Sequence, residues 1–416
     1  MPDNTQQSSS SHDADEADDT LHVQEDEFQA AFGESLAATL NLDTWLPGGD
    51  YGATRERMER EIAASVAQND RIGDQLRNEF LPRMFARKQA PLHAGCYQVD
   101  PARIEQVHRG LLFTGAVEAC DGTSLVHESL PLTIAQIGVS LVSYRGDQGT
   151  WLQRLYRRDL RVTGLDPIEE AFQLLERRRK RDSTDAESTR DRLTELTRRG
   201  IMAYAERAIL AEKSQALWRM GHGNPMPYEL LTGGGLVQEK RGGGGNDMPL
   251  LRESFAVWRK LLLEHKKWIY VPSAPANRAY LTAGYALHPL EFALIDTPTN
   301  AMLQIVDGHL PKYLKDEAKA VVNELGPQIT VGVYRASASA PPYIFYAHRD
   351  YACQAALIVL ADSVLQEHRG FPMLIDLADL ICRSTFGSDT FTAIVQQAYT
   401  HAGAPFTYLR ERETRA

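Results

Sequence analysis

Residues 111–125, LLFTGAVEACDGTSL, decide the fold. An apolar run rises through Val117 and Cys120 and is then interrupted by Asp121-Gly122 and two hydroxyl residues. The pattern reads as a strand ending in Asp-Gly. Two readings of Asp121 stand on this evidence alone: a turn residue, or a carboxylate held at a strand end to bind a metal. The next stretch, LTIAQIGVSLVSYRG (132–146), alternates and is rich in β-branched residues. It is expected to be a second strand, paired antiparallel with the first.

Outward from this pair the pattern changes character. Towards the N-terminus, residues 51–90 read as helical, with Met58, Ile62, Val66, Ile72 and Leu76 recurring among charges. Residues 1–36 hold ten acidic groups and no Lys or Arg, with many serines, and read as a disordered tail. The tail accounts for the whole net charge of −10: the remainder balances 45 acids against 45 bases. A low pI of this origin does not exclude a nucleic-acid substrate, because a neutral body can carry a basic groove. Towards the C-terminus, residues 151–220 read as a charged helical insertion. Within it ERRRKRDSTDAESTRDR (176–192) is either a solvated face or a phosphate-backbone contact.

Further on, MPYELLTGGG (226–235) reads as a short buried strand running into a glycine turn, and RGGGGND (241–247) as a loop. LLRESFAVWRKLLLEHKK (250–267) is an amphipathic helix leading into the strand WIYVPSAP, an α/β crossover signal. QITVGVYRASASAPPYIFYAHRD (328–350) offers another strand pair. Helices are expected over 352–368, 372–384 and 388–402, the last capped by Ser388 with Asp389 in its first turn. The domain layout is a tail over 1–36, a helical region over 37–110 and a mixed α/β domain over 111–416.

Several chemistries are excluded by missing motifs. There is no G-x-x-x-x-G-K-[ST], no G-x-G-x-x-G between strand and helix, no H-E-x-x-H and no G-x-S-x-G. Four dispersed cysteines without a C-x-x-C pair argue against a zinc knuckle or a disulfide framework and fit a reducing cytoplasm. No apolar run reaches membrane-spanning length, and the polar N-terminus carries no secretory pattern.

What remains is a set of carboxylates near apolar segments. Asp121 ends the first strand; Glu206 and Glu212 lie on one helix, six apart and so on different faces; Glu229 sits in PYELLTG. Asp376 and Asp379 share a helix face, and Asp379 lies in an apolar helix where a carboxylate needs a partner. Such groups suit hard Mg²⁺ or Mn²⁺ ions.

Three segments, in order, resemble the NurA nuclease family. GAVEACDGTSL looks like that family's opening strand with its Asp-Gly-Ser motif, Thr123 standing for Ser. The helix around 203–217 followed by PYELLTGGGL resembles its glutamate-bearing helix and second Asp-Gly strand, and RGFPMLIDLADL resembles its C-terminal G-Y-P-x-x-L-x-x-A-H segment. The resemblance implies an RNase H-like mixed sheet flanked by helices, and a DNA endo- and exonuclease dependent on Mn²⁺ (or Mg²⁺). It also implies a homodimer working with a hexameric HerA-like ATPase in DNA repair or phage defence. By position, Asp121 is implied as the first metal ligand. Glu212 or Glu206 is implied as the helix glutamate, with the spacing slightly favouring Glu212. Glu229 and Asp379 are further metal-ligand candidates, Phe371 stands at an aromatic position, and Arg349 is a candidate phosphate contact. Thr232-Gly233 replaces the second Asp-Gly, and Asp379 replaces the histidine. The alternative to an active enzyme is therefore a catalytically weakened subunit that binds DNA or the motor, or a regulatory protein that uses its acidic tail.

Overall fold

In the computed structural model the described residues are 25–45, 51–129, 132–157, 188–236, 239–240, 246–273 and 278–406, with 166, 168–169 and 171–172 besides. The chain divides into two compact units, Met1–Asp70 and Arg71–Ala416.

In the first unit, residues Glu25–Phe32 form a helix where the acidic composition predicts disorder. Its three acidic residues occupy the first turn, and Phe28 and Phe32, four residues apart, meet at a tilt with ring centroids at 4.6 Å. Acid at a helix N-terminus and an i,i+4 ring pair are both stabilising there. Residues 1–24 lie outside the described residues. The helix Tyr51–Gln75 runs across the boundary between the units, as the 51–90 pattern predicts.

The second unit is built on one nine-stranded mixed sheet. Its strands are β1 (Gly95–Gln98), β2 (Val117–Glu128), β3 (Thr133–Ser143), β4 (Gly146–Arg157) and β5 (Trp218–His222). β6 (Glu239–Lys240) and β7 (Asn246–Asp247) form a separate small pair. The large sheet then continues with β8 (Trp268–Val271), β9 (Glu291–Asp296), β10 (Ile329–Arg335) and β11 (Tyr343–His348). The order across it is β1-β9-β10-β11-β8-β5-β2-β3-β4. β2, β3 and β4 are antiparallel neighbours, and β2, β5 and β8 are parallel. β1 brings residues 95–98 into this sheet, ahead of the boundary expected at 110/111.

Helices cover both faces. On one, Cys120, Val139 and Leu141 pack with Ala203 and Leu210 of the Ser188–Glu212 helix and with Trp258 of the Pro249–Trp258 helix. On the other, Val117, Ala119 and Val142 pack with the Ala352–Ser363 and Met373–Phe386 helices. With helices on both faces, β3 is buried at nearly every position rather than at alternate ones. Gly138 lets the C-terminal helix close on β3, since a Cβ there would stand 2.2 Å from the Phe386 ring.

The antiparallel pairing of the first two strands and of 329–335 with 343–348 follows the sequence pattern. Four expectations are corrected. Asp121-Gly122 is not a turn or a strand end: β2 continues through it for another turn-free stretch to Glu128, because Asp121 pairs opposite Ser140. Both ends of the 151–220 stretch read as helical are strand instead: residues 151–157 lie in β4 and residues 218–220 in β5. The first belongs to an edge strand whose pairing with β3 outweighs its charge content. MPYELLTGGG is not a strand: Tyr228–Leu231 and Gly233–Leu236 are single helical turns, and the Thr232 hydroxyl bonds back to Tyr228 O at 2.8 Å. At the end of the chain Gly387, not Ser388, is the cap of the last helix. The glycine run 241–245 and most of 158–187 lie outside the described residues.

Candidate functional site

The parallel ladder between β2 and β5 runs from Val117↔Trp218 to Cys120↔Gly221 and stops there. Asp121 and His222 are the next residue on each strand. They therefore stand side by side where the central strand loses its parallel neighbour. Crevices at the carboxyl ends of parallel strands, next to a change of direction in the sheet, are where α/β folds place ligands. His222 Nδ1 lies 3.3 Å from Asp121 Oδ1, and its Nε2 lies 3.0 Å from Ser273 Oγ. Asp121 also accepts the Gly122 backbone N–H at 2.9 Å, so its carboxylate orientation is fixed from two sides.

Glu206 reaches the same point from the opposite face. It lies on the Ser188–Glu212 helix in the buried stripe Ala203, Glu206, Arg207, Leu210, spaced i, i+3, i+4, i+7. A Cβ on Gly122 would stand 2.6 Å from Glu206 Oε1, so the absence of a side chain at Gly122 gives the carboxylate its room. Burial, together with the neighbouring Asp121 charge and against the pull of Arg207, pushes the Glu206 carboxyl up to about 7.

Asp379 completes the group from the Met373–Phe386 helix. It forms an ion pair with Arg383 at 2.8 Å, one turn on. Burial and then the Asp121 charge raise its pKa above the ordinary carboxylate range. Burial alone would lower the His222 pKa; its hydrogen bond to Asp121, with the charges of Asp121, Glu206 and Asp379, raises it instead. Phe371 packs edge-on to the His222 ring with centroids at 5.9 Å. A cleft of about 500 Å³ opens alongside, walled by Thr123 and Leu125 of β2 and by Arg383, Ser384 and Ser388 of the C-terminal helices.

The other sequence candidates stand elsewhere. Glu212 is half-exposed near Lys260 at 3.9 Å, away from Asp121. Glu229 pairs with Arg199 at 3.0 Å. Asp376 is held by Gln366 and Arg369, each at 2.6 Å. Arg349 follows β11, whose end there lies towards Trp268 at the start of β8, the far end of the parallel strands from His222. The structure thus assembles Asp121, Glu206 and Asp379, with Phe371 beside them. It adds His222, which stands two residues beyond the stretch 151–220 that the sequence reads as helical and was not among its candidates. The signal was present as WRMGHG, an apolar run closed by His-Gly directly after a helix.

The donor set suits a hard divalent cation in kind: three carboxylates and one imidazole feel one another's charge, and a cation would relieve the repulsion among the carboxylates. Among the described residues, no three of these groups already stand in ligating geometry. Asp121 and Glu206 are the pair placed to hold such an ion, with Asp379 free to join only if it releases Arg383.

No protein-family model and no curated protein matches the chain. Among solved structures it is similar to the NurA nuclease from Sulfolobus solfataricus, at 10% identity over 83% of this chain and 98% of that one, with a TM-score of 0.41. A NurA structure with manganese matches at 10% identity over 86% and 99%, again with a TM-score of 0.41. A Ciona intestinalis endonuclease V in complex with DNA matches more distantly, at 10% identity over 65% and 84%, with a TM-score of 0.25. The chain's structural neighbours over most of its length are NurA nucleases, at low identity and modest structural overlap.

Proposed function

We propose that this protein is a metal-dependent deoxyribonuclease whose centre is formed by Asp121, Glu206, His222 and Asp379. The observation that carries the reading is the convergence of these four groups from β2, β5 and two helices on opposite faces of the sheet. A purely structural Asp121–His222 pair would not need a second and third carboxylate in its field. The order β4-β3-β2-β5-β8, three antiparallel strands followed by two parallel ones, supports an RNase H-like core.

A bound Mn²⁺ or Mg²⁺ would supply Lewis-acid stabilisation of the phosphoryl charge. The chain's own groups do the rest. Asp121, oriented by Gly122 N–H and His222, presents its second oxygen to the site. Water adds at phosphorus as the P–O3′ bond breaks, its proton passing to solvent, and His222, whose Nε2 lies 3.0 Å from Ser273 Oγ, is the group that would supply a proton to the departing 3′ oxygen. The cleft walled by Thr123, Leu125 and Arg383 receives the DNA strand. Cytoplasmic location, a homodimer and a HerA-like ATPase partner in repair or phage defence belong to the same proposal. The free cysteines are its support for a reducing compartment. No helix among the described residues is long and apolar enough to cross a membrane.

A second reading, a weakened subunit that binds DNA or a motor, is favoured by one observation: Asp379 is committed to Arg383 rather than turned to Asp121. Incubation of the protein with linear single- and double-stranded DNA and Mn²⁺ separates the two. Degradation by the parent, lost in Asp121→Ala, supports the nuclease. Retained DNA binding with no degradation, alone or with a HerA-like ATPase, supports the second reading.

A further inference from the structure

Among the described residues, Arg207 is the largest charged side chain sealed inside the protein, 2% exposed. A guanidinium removed from water is costly unless each N–H finds an acceptor. Here Nε donates to Pro225 O at 3.1 Å, Nη1 to Ala203 O at 2.7 Å and to Glu206 Oε2 at 3.1 Å, and Nη2 to Asn224 O. The guanidinium carbon lies 5.1 Å from the centre of the Tyr270 ring.

These partners come from three elements. Ala203 and Glu206 belong to the Ser188–Glu212 helix, Asn224 and Pro225 to the loop that leaves β5 immediately after His222, and Tyr270 to β8. One side chain therefore fastens the helix bearing Glu206 to the loop that follows His222, above the ring of the next parallel strand. An ordinary ion pair to Glu206 would need only one of these contacts. The planar fork matches all of them at once, which a lysine ammonium cannot do.

We infer that Arg207 is a positioning residue for the carboxylate–histidine centre: it sets the Glu206 carboxylate and the His222 end of β5 in mutual register and thereby fixes the affinity of the site for a divalent cation. The inference rests on the nuclease reading. Groups that orient ligands from behind typically change metal affinity or activity by about 10–100-fold when removed.

The test uses the full chain with Arg207→Lys and Arg207→Ala. Mn²⁺ binding is read by electron paramagnetic resonance, DNA binding without metal by fluorescence anisotropy, cleavage by single-turnover kinetics and folding by thermal melting. The expected result for Arg207→Lys is Mn²⁺ affinity weakened about 10–100-fold and cleavage slowed in proportion, with metal-free DNA binding within twofold of the parent. In Arg207→Ala, added guanidinium ion is expected to restore part of both. If Arg207→Ala does not fold, Arg207→Lys carries the test. Arg207→Lys with parental Mn²⁺ affinity and cleavage overturns the inference. So does a loss that tracks melting temperature alone and that guanidinium does not rescue. A parent that neither binds Mn²⁺ nor cuts DNA overturns this inference together with the proposed function, whereas parental binding and cutting with an indifferent Arg207 removes only the inference.

Discussion

At the scale of single residues, the site depends on what is absent at position 122 as much as on Asp121. Gly122 has no side chain, and the space is filled by Glu206 Oε1 and Met202 Cγ, which a Cβ would meet at 2.6 Å and 2.9 Å. Neither is the far end of a freely moving side chain. Glu206 is tied to Arg207 at 3.1 Å, and Met202 lies on the same helix. Gly122→Ala is therefore expected to push the carboxylate off its place while leaving the strand paired. A displacement near 1 Å from productive geometry costs on the order of 10²-fold in rate. Single-turnover cleavage should fall by about that factor with a melting temperature only a few degrees lower. Parental cleavage by Gly122→Ala would remove Glu206 from the centre. Asp-Gly is thus informative for its glycine as well as its acid: the dipeptide looks like a turn in sequence, yet here it is a strand position that admits a carboxylate from a crossing helix.

At the scale of elements, the C-terminal helices are placed by two buried contacts. Gly138 of β3 receives the Phe386 ring, and Gln136 Nε2 donates to Phe386 O at 3.0 Å, which seats the helix that carries Asp379. Gly138→Ala overpacks this seat, with an expected loss of about 1–3 kcal/mol in urea unfolding; unchanged stability would mean that the helix is free to shift. The second contact is Asp362, fully buried at the end of the Ala352–Ser363 helix. It accepts from Tyr144 Oη and from the Leu374 backbone N–H at 2.9 Å. Burial pushes its carboxyl up to about 6. A carboxyl with a raised folded-state pKa holds its proton longer when folded than when unfolded. Its contribution is therefore present in full below about pH 4 and lost as pH rises through about 6. Asp362→Asn keeps a neutral group that can satisfy both partners. Its stability relative to the parent should grow from pH 4.5 to pH 7, by an amount on the order of 2 kcal/mol; a constant difference would show that Asp362 is ionised throughout. These contacts also mark what the sequence could convey. The β2–β3 and β10–β11 pairs were legible because alternation and β-branching are local. β4 and β5 were not, because TWLQRLYR and WRMGH become strands through pairing with β3, β2 and β8 rather than through their own composition. The choice between Glu206 and Glu212 was open to sequence periodicity, since only Glu206 falls on the stripe with Ala203, Arg207 and Leu210. His222 is marked in the sequence only by the short WRMGHG stretch, and it is the register of β5 against β2 that sets it beside Asp121.

At the scale of the whole molecule, charge is divided unevenly along the chain. Residues 1–24 contribute six acidic groups and no Lys or Arg, so their removal takes the formal charge from −10 to −4. The body that carries the cleft is balanced, and two exposed cations beside the centre, Arg383 and Arg369, are already paired with Asp379 and Asp376. On the nuclease reading, the balanced body would offer DNA little long-range attraction, and residues 1–24 add only negative charge to the chain. Deleting residues 1–24 is therefore expected to raise the association rate with DNA several-fold at low salt. Repulsion of this kind is screened over about 10 Å at 0.1 M ionic strength, so the gain should fade as salt rises and vanish well before specific contacts are lost. Stopped-flow association of labelled DNA, measured for both chains across a salt series, separates the outcomes. Convergence at high salt identifies an electrostatic brake on entry. A gain that persists at high salt would instead mean that the segment physically occupies the DNA site, and no gain at any salt would mean that its charges lie beyond the reach of the bound strand.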